Sequence, residues 1–155
     1  MADPLQVEVV AADGMVWEGQ AVMVIARTSE GELGILADHE ALMAALVPCA
    51  VEITVPDGTD EIIAVSDGFI SVFQNRVSLL SSYGELAREI SVDMARSTIA
   101  NLHDAVDDGK ATHEEVRQYN HAVGQIRAAE RFEQRRRGAE PSGETPQPAQ
   151  LRPGN

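Results

Sequence analysis

The stretch that decides the fold is "AVEITVPDGTDEIIAV", which spans Ala50–Val65. Val51, Ile53 and Val55 alternate with polar residues, and this period of two is typical of a strand with one buried face. "PDGTD" follows as a tight turn, since proline presets one backbone angle and glycine permits left-handed ones. "EIIAV" then returns as a second strand, so the stretch predicts an antiparallel β-hairpin.

Apolar runs before and after this hairpin predict further strands. "AVMVIAR" (Ala21–Arg27) is almost continuously apolar, which predicts a strand covered on both faces. "LQVEVV" (Leu5–Val10) alternates, and "GFISVF" and "RVSLLS" form one more pair, joined at Gln74 and Asn75. Strands at intervals of about ten residues are typical of an all-β sandwich or barrel. Only 4% of the chain is aromatic, so the predicted core is aliphatic.

The second half of the chain changes period and predicts two amphipathic helices. Apolar residues recur there at three- and four-residue intervals, as they do on one face of a helix. The two sets are Val92, Ala95, Ile99, Leu102 and Val106, then Val116, Tyr119, Val123, Ile126 and Ala129. Gly109 is placed to end the first helix, and Thr112 with Glu115 forms a capping-box pattern that begins the second. Such helices with a short connection predict an antiparallel hairpin.

The predicted class is therefore α+β, in three parts. A β-sandwich domain covers residues 1–86, a helical hairpin covers residues 91–137, and a tail covers residues 138–155. Four of the seven prolines lie in the tail and no cluster of bulky apolar residues does, so the tail is predicted to be disordered.

Charge divides the chain in the same way. The net charge is −13, and Met1–Glu85 carries fourteen acidic residues against two basic ones, Arg27 and Arg76. Such a chain is not expected to bind nucleic acid, because neutralising phosphates requires clustered lysine and arginine. The second half ends in a basic run, Arg127, Arg131, Arg135, Arg136 and Arg137. Two interpretations of this run stay open: complementing the helix dipole and docking on an acidic protein surface.

Cysteine content and the amino terminus bear on the compartment. Cys49 is the only cysteine, which excludes an intramolecular disulfide and favours a reducing environment. The opening "MADPLQVEVV" has neither a basic nor a long apolar segment, so no signal or transit peptide is expected. No apolar run is long enough to span a bilayer, so we expect any membrane association to come through a partner.

The segment "SEGELGILADHEALMAAL" (Ser29–Leu46) raises the question of catalysis, because it gathers glycines, carboxylates and a histidine. Gly31 and Gly34 complete neither a P-loop nor a dinucleotide-binding pattern. We interpret both glycines as bends that turn Glu32 and Leu33 outward.

Metal and thiol chemistry are also not expected. His39 has no second histidine nearby, so no metal site is predicted, and Cys49 is interpreted as a small buried hydrophobe. The alternative is a small metal-dependent β-barrel enzyme that uses His39 and Glu32. The preferred prediction has no catalytic residues, no metal and no cofactor.

Three stretches occur in an order that matches one known family. They are "LQVEVVAADGMVWEGQAVMV" with an aromatic-x-Gly element at Trp17-Glu18-Gly19, "TSEGELGIL" followed by His39, and "AVSDGFISVFQNRVSLLS". Together with the helical hairpin they resemble the epsilon subunit of F-type ATP synthases, over about residues 4–136. The resemblance implies a ten-stranded β-sandwich followed by two helices.

The resemblance also implies a rotor subunit of the central stalk that performs no bond chemistry itself. The sandwich would bind the gamma subunit and the c-ring, and would couple proton flow to ATP synthesis at the cytoplasmic face of the bacterial membrane. The ring-facing loop would comprise Glu30, Gly31, Glu32, Leu33 and Gly34, followed by His39. The hairpin would be a regulatory arm that restrains ATP hydrolysis at the alpha/beta catalytic head, with contacts from Arg127, Arg131, Arg135 and Arg136.

Two departures from the family pattern bear on these expectations. Ala37-Asp38 stands where the family usually has Pro-Gly before the histidine. "VDMARS" (Val92–Ser97) matches only Asp93 and Arg96 of the element through which some bacterial members bind ATP. The preferred interpretation is an Asp93–Arg96 pair on the helix surface, with ATP binding as the alternative. For the whole chain, the alternative is a stand-alone β-sandwich adaptor with a helical interaction arm.

Overall fold

The computed structural model describes residues 3–139, which form ten strands, one turn of 3-10 helix and two α-helices. The strands are β1 Leu5–Ala11, β2 Gly14–Ala21, β3 Met23–Thr28, β4 Gly31–Leu36, β5 Leu42–Leu46, β6 Cys49–Thr54, β7 Asp60–Val65, β8 Gly68–Phe73, β9 Arg76–Ser81 and β10 Gly84–Leu86. The 3-10 turn is Ala87–Glu89, and the helices are α1 Val92–Asp107 and α2 His113–Ala139.

The strands form two layers of five that share one core. One layer has the order β4-β3-β6-β7-β10 and the other has the order β5-β8-β9-β1-β2. In the strand pairing of residues 3–139, Thr28 of β3 with Leu46 of β5 is the residue pair that joins the two layers, and backbone hydrogen bonds flank it on both sides. Strand β1 runs parallel to β9, and the other pairings recorded within residues 3–139 are antiparallel. The ten-stranded sandwich implied by the resemblance is confirmed.

The inner faces of both layers meet in an aliphatic core, as the composition predicts. The largest fully buried side chains come from seven different strands and include Leu5, Ile35, Ile53, Ile63, Ile70 and Leu79. Interiors packed in this way have few voids and resist compression. The sandwich is therefore a rigid body on which surface residues hold fixed positions.

The hairpin quoted first folds as its sequence predicts. Strands β6 and β7 pair in antiparallel register along their whole length. In the turn between them, Asp57 Oδ1 accepts hydrogen bonds from the Thr59 amide at 2.9 Å and the Thr59 hydroxyl at 2.7 Å. Gly58 has a φ of +93°, a left-handed value that favours glycine. The bonds from Thr59 hold the pKa of Asp57 below its usual range.

The strand at Ala21–Arg27 was predicted to be buried on both faces, and the structure differs from this prediction. The side of β3 that faces away from the core is half-buried at Met23 and Ile25 and exposed at Arg27, so the expectation that both faces are covered is wrong. Strand β7 is covered on both faces instead, because Ile62–Val65 are all buried. The cause is α2, which packs on the outer face of β6 and β7.

Helices α1 and α2 form an antiparallel hairpin, called the arm below. Gly109 follows α1 with a φ of +70°, as expected of a glycine that ends a helix. Thr112 Oγ1 accepts from the Glu115 amide at 3.1 Å, and Glu115 Oε1 accepts from the Thr112 amide at 2.9 Å, which confirms the capping box. Helix α2 continues to Ala139, past the predicted end at residue 137. The rest of the predicted tail, residues 140–155, lies outside the described residues.

Helix α2 has a second contact face that the apolar stripe did not predict. Its stripe residues Ile126 and Ala129 line a groove with Val92 of α1, as expected for the hairpin. Its other face packs on the sandwich, where Ala128 is fully buried in a small apolar cluster with residues of β7 and the 3-10 turn. A side chain at Gly124 would place its Cβ 2.5 Å from the Val65 carbonyl oxygen. Glycine therefore permits the close approach of α2 to β7.

Candidate functional site

The predicted ring-facing loop is a tight turn between β3 and β4. Thr28 pairs with Gly31 across the turn, which leaves Ser29 and Glu30 as its central residues. Thr28 Oγ1 donates to the Gly31 carbonyl at 2.9 Å and accepts from the Glu30 amide at 3.1 Å. Gly31 has a φ of +119°, where any other residue is strained. The turn is thus fixed by its own hydrogen bonds and by the glycine at position 31.

Strand β4 sends the residues after this turn to opposite faces, because side chains alternate along a strand. Glu32 is exposed on the outer face, whereas Leu33 is half-buried and packs against the main core. Gly34 lies within the strand and does not have a positive φ. The expectation of outward-turning bends is therefore wrong for Gly34 and Leu33 and holds for Gly31 and Glu32.

His39 lies beyond the opposite end of β4 from this turn. The strand has six residues, which corresponds to about 20 Å at roughly 3.3 Å per residue. The His39 amide donates to the Leu36 carbonyl at 3.2 Å, and the His39 Nδ1 atom lies 2.7 Å from the Glu40 carbonyl oxygen. The structure therefore does not bring Glu30 and His39 into one patch.

Asp38 shows how the chain accommodates its departure from the family's Pro-Gly pattern. Its φ is +66°, a left-handed value that glycine adopts freely and aspartate better than most residues. The Asp38 amide donates to Asn75 Oδ1 at 2.6 Å, and Asn75 Nδ2 donates to Asp38 Oδ1 at 3.2 Å. These bonds tie the β4–β5 connection to the β8–β9 turn, so the connection is held in place without glycine.

Two arm arginines converge on one carboxylate of the sandwich. Arg131 Nε donates to one oxygen of Glu52 at 2.7 Å, and Arg135 Nη2 donates to the other at 2.7 Å. Arg135 Nε also lies 3.4 Å from Asp60 Oδ2; these four residues are called the Glu52 cluster. The Glu52 side chain is only 8% exposed, and a buried carboxylate is costly unless it is paired. The docked arm therefore supplies the charges that Glu52 requires.

The remaining basic residues of α2 also find partners within the chain. Arg127 Nη1 donates to the Pro48 carbonyl at 2.6 Å. Arg136 and Arg137 pair with Glu133 on the preceding turn of α2. Three of the four predicted arm contacts thus bind the chain's own sandwich, and Arg136 pairs within the helix. The basic run therefore contacts carboxylates of its own chain, and docking on a second protein stays a prediction.

An aromatic contact joins the arm to the end of the sandwich. The rings of His121 and Tyr83 stack with centroids 4.6 Å apart. Gln125 Nε2 donates to the Tyr83 hydroxyl at 2.8 Å and to Glu85 Oε1 at 2.9 Å. His121 Nε2 is buried without a hydrogen-bond partner among residues 3–139. Burial lowers the pKa of His121, and Arg117 adds to this effect while Asp67 opposes it, so docking favours the neutral imidazole.

Asp93 and Arg96 do not form the ion pair that the preferred interpretation predicts. No such pair is present between them in the described residues. Arg96 instead lines a groove of about 220 Å³ between the helices, beside Glu130 and Glu133. Two carboxylates next to one guanidinium disfavour a polyphosphate, because like charges repel. The arrangement does not favour ATP at this groove.

The described residues also bear on metal binding, thiol chemistry and membrane spanning. Within residues 3–139, no group of three or more His, Cys, Asp or Glu side chains could hold a metal ion. Cys49 is buried, and burial raises the pKa of its thiol, as for a small hydrophobe in a core. None of the described helices is both long enough and apolar enough to cross a bilayer.

The outer face of the second layer carries an exposed apolar row. Neighbouring strands pair Ala45 with Phe69, Phe69 with Leu80, Leu80 with Val10, and Val10 with Met15. The row crosses five strands, about 19 Å at roughly 4.8 Å per strand. Phe69 is 56% exposed, and Leu80 and Met15 are each 53% exposed. These five residues are called the apolar row, and the arm packs on the other layer.

Comparison with known proteins identifies the family. A protein-family model described as "ATP synthase, Delta/Epsilon chain, beta-sandwich domain" matches residues 4–87, which are more than half of the 155 residues. The chain belongs to the ATP synthase delta/epsilon chain family. It is accordingly a non-catalytic subunit of the rotary ATP synthase. Family membership sets aside both the stand-alone adaptor and the metal-dependent enzyme.

Curated relatives carry the name ATP synthase epsilon chain. The chain of Cutibacterium acnes is 49% identical over 94 residues, which are 60% of this chain and 64% of that one. The chain of Streptomyces avermitilis is 42% identical over 74% of this chain and 90% of its own length. The chain of Rhodococcus jostii is 35% identical over 82% of this chain and 97% of its own length. The last two alignments extend past the sandwich into the arm.

A solved structure shares the fold. A chain in the cryo-EM structure of the Euglena gracilis mitochondrial ATP synthase, OSCP/F1/c-ring in rotational state 1, matches with a TM-score of 0.62. The match covers 84% of this chain and 81% of that one at 21% identity. The similarity therefore concerns the fold, a sandwich followed by helices.

Proposed function

We propose that this chain is a rotor subunit that links the gamma subunit to the c-ring of a bacterial F-type ATP synthase. It lies at the cytoplasmic face of the cell membrane as a peripheral subunit, and it contacts the membrane only through the ring. The sandwich docks and thereby couples proton flow to ATP synthesis, and the arm restrains ATP hydrolysis at the alpha/beta head. The names of its bacterial relatives support this assignment.

The observation that carries the docking proposal is the apolar row. Monomeric proteins rarely expose large contiguous apolar patches, and such patches commonly mark interfaces. Met43 and Phe73, which are 72% and 62% exposed on the same layer, extend the row. The sandwich is strongly acidic, so its partner needs apolar side chains at the centre of the contact and basic ones around it. We assign this face to the gamma subunit.

Charge substitution in the apolar row tests the docking proposal. We expect Phe69→Glu and Leu80→Glu each to weaken binding to the purified gamma subunit by at least about thirtyfold, because central aromatic and aliphatic anchors dominate interface energies. Both side chains point away from the core, so the sandwich should stay folded, which thermal unfolding would check. Isothermal titration calorimetry would measure the affinity.

Met94 provides the matched control for this experiment. It is an apolar residue that is 72% exposed on α1, away from the sandwich face. Met94→Glu should leave gamma binding unchanged. Unchanged binding in both row variants, or an equal loss in Met94→Glu, would contradict the assignment of this face.

Removal of the arm tests the regulatory part of the proposal. A chain shortened after Glu89 keeps all ten strands and loses both helices. We expect the synthase to assemble with this chain and to hydrolyse ATP faster than the wild type. Hydrolysis at the wild-type rate would remove the regulatory role and leave only the docking role.

A further inference from the structure

A crevice of about 470 Å³ lies between the outer face of β3, β4 and β6 and the neighbouring helix α2. This volume is within the range of small-molecule sites. Its lining includes three arginines, two of which belong to the arm, and two glutamates of the sandwich, namely Arg27, Arg127, Arg131, Glu32 and Glu52. The crevice is distinct from the groove beside Arg96 and from the apolar row.

Positive charge in this crevice exceeds the carboxylates available to it. Glu52 already accepts from Arg131 and Arg135 on its two oxygens. Arg127 donates to a main-chain carbonyl, which is a neutral acceptor. Within residues 3–139, Arg27 forms no ion pair or side-chain hydrogen bond. Since each guanidinium carries five N–H donors, Arg27 and Arg127 both have donors left for a ligand.

The two arginines act on the same part of the crevice. Burial raises the pKa of the Cys49 thiol, and the positive charges of Arg127 and Arg27 partly offset this effect. Cys49 Sγ lies 3.9 Å from the Arg27 carbonyl oxygen, and Arg127 donates to the carbonyl of Pro48, the residue before Cys49. Arg27, Cys49 and Arg127 therefore lie side by side in the lining of the crevice. Arg27 is one of only two basic residues in the first 85 positions, which makes its placement here distinctive.

We propose that this crevice binds a phosphate-class oxyanion between Arg27 of the sandwich and Arg127 of the arm. Guanidinium groups present paired N–H donors in a planar fork that matches phosphate oxygens, and their charge strengthens each bond. Glu32 opposes the ligand, because it is the cross-strand neighbour of Arg27 and carries negative charge. The site therefore suits a small anion that contacts both arginines.

A bound anion would link Arg27 of the sandwich to Arg127 of the arm, and this link would be lost when the arm undocks. A ligand that binds only the docked state shifts the equilibrium toward it. Phosphate is thus expected to hold the arm on the sandwich. The link from arm docking to ATP hydrolysis rests on the proposed function, whereas the binding itself does not.

The only cysteine of the chain reports on this site directly. Inorganic phosphate is titrated into the full chain at an ionic strength kept constant with chloride, while the rate at which a thiol reagent modifies Cys49 is followed. We expect the rate to fall to a plateau as phosphate saturates the site. Arg27→Gln and Arg127→Gln should each raise the half-saturating concentration by at least about tenfold, and Glu32→Gln should lower it.

Arg76 provides the matched control, because it is the other basic residue of the sandwich and lies on β9 in the opposite layer. Arg76→Gln should leave the half-saturating concentration unchanged. A modification rate that does not respond to phosphate, or an equal change in Arg76→Gln and Arg27→Gln, would overturn the proposal. Because the assay uses the isolated chain, failure here is distinct from a failure of the hydrolysis experiment, which tests the proposed function.

Discussion

The two outer faces of the sandwich differ in what lies against them and in their side chains. Helix α2 packs on one face, and the other face is exposed. On β6 and β7, helix α2 lies close to the sheet through Gly124 and small alanines, and the Glu52 cluster supplies charge pairs. On the layer of β5, β8, β9, β1 and β2, the apolar row presents three large side chains that stay exposed, those of Phe69, Leu80 and Met15. Small residues with ion pairs suit a contact that opens and closes, whereas large apolar anchors suit a lasting interface. The fold thus has one face that holds its own arm and a second face that the proposed function assigns to another subunit.

Of the substitutions on the covered face, one that fills the space at Gly124 is expected to weaken arm docking most. In Gly124→Ala the new Cβ meets the Val65 carbonyl oxygen at 2.5 Å, so α2 must move away at a cost of about 1–3 kcal/mol. We expect Cys49 to react with a thiol reagent roughly fivefold to 150-fold faster, because the Cys49 amide lies beside the same point of α2. The modification rate measures this change.

Gly138 is the control for this prediction, since it lies on the same helix and a Cβ there meets no atom within 4 Å. Gly138→Ala should leave Cys49 protected. Equal protection in both variants would mean that close approach at Gly124 does not hold the arm down.

A smaller effect is expected from neutralising the charge of the covered face. Glu52→Gln keeps the side chain's shape but leaves Arg131 and Arg135 facing a neutral amide. Loss of charge-assisted bonds should weaken arm docking by about 1–2 kcal/mol. The Cys49 modification rate should therefore rise by roughly fivefold to thirtyfold.

Glu133→Gln is the matched control, because Glu133 pairs with Arg136 and Arg137 inside α2 and touches no sandwich residue through those pairs. Its Cys49 rate should equal that of the wild type. If Glu52→Gln behaved like Glu133→Gln, the Glu52 cluster would contribute nothing to docking.

The smallest effect is expected from pH. The pKa of His121 is lower in the docked arm than its usual value because of burial and Arg117, while Asp67 acts in the opposite direction. The docked state therefore binds fewer protons than the free arm, so acidification favours the free arm. Docking should be intact above about pH 7 and weaken as the pH falls below about 6.5, the usual histidine value.

The ring signals of Tyr83 in NMR spectra measure this dependence, because Tyr83 stacks on His121. His121→Gln should flatten the response, whereas His103→Gln, at an exposed site on α1, should preserve it. A response that survives His121→Gln would assign the titration to another group.

Local patterns predicted most of the fold, since strand alternation, the capping box at Thr112 and the helix end at Gly109 depend on neighbouring residues. The Glu52 cluster could not be predicted in this way. Glu52 stands at the solvent side of an alternating strand, and its partners lie 79 and 83 residues away. The second face of α2 escaped detection because alanine and glycine do not register as an apolar stripe.

One signal for the arm's docking surface was present in the sequence, namely a short run that is apolar at every position. The run Ile62–Val65 is apolar at every position and is buried on both faces, so it marked the strand on which α2 packs. The run Ala21–Arg27 is also mostly apolar but ends in the charged residue Arg27, which is exposed on the face away from the core. The left-handed φ of Asp38 is supported by a hydrogen bond to Asn75, 37 residues later. A local sequence pattern therefore could not predict it.

The parallel pairing of β1 with β9 has a consequence for how the chain is made. Glu8 of β1 and Ser78 of β9 are hydrogen-bonded across 70 residues of sequence, so β1 leaves the ribosome well before its partner β9 is made. Contacts between distant parts of a sequence slow folding. The arm emerges after the sandwich can close and therefore docks on a finished surface. A deletion of β1 removes a strand that is paired on both sides, whereas a deletion of the arm leaves all ten strands in place.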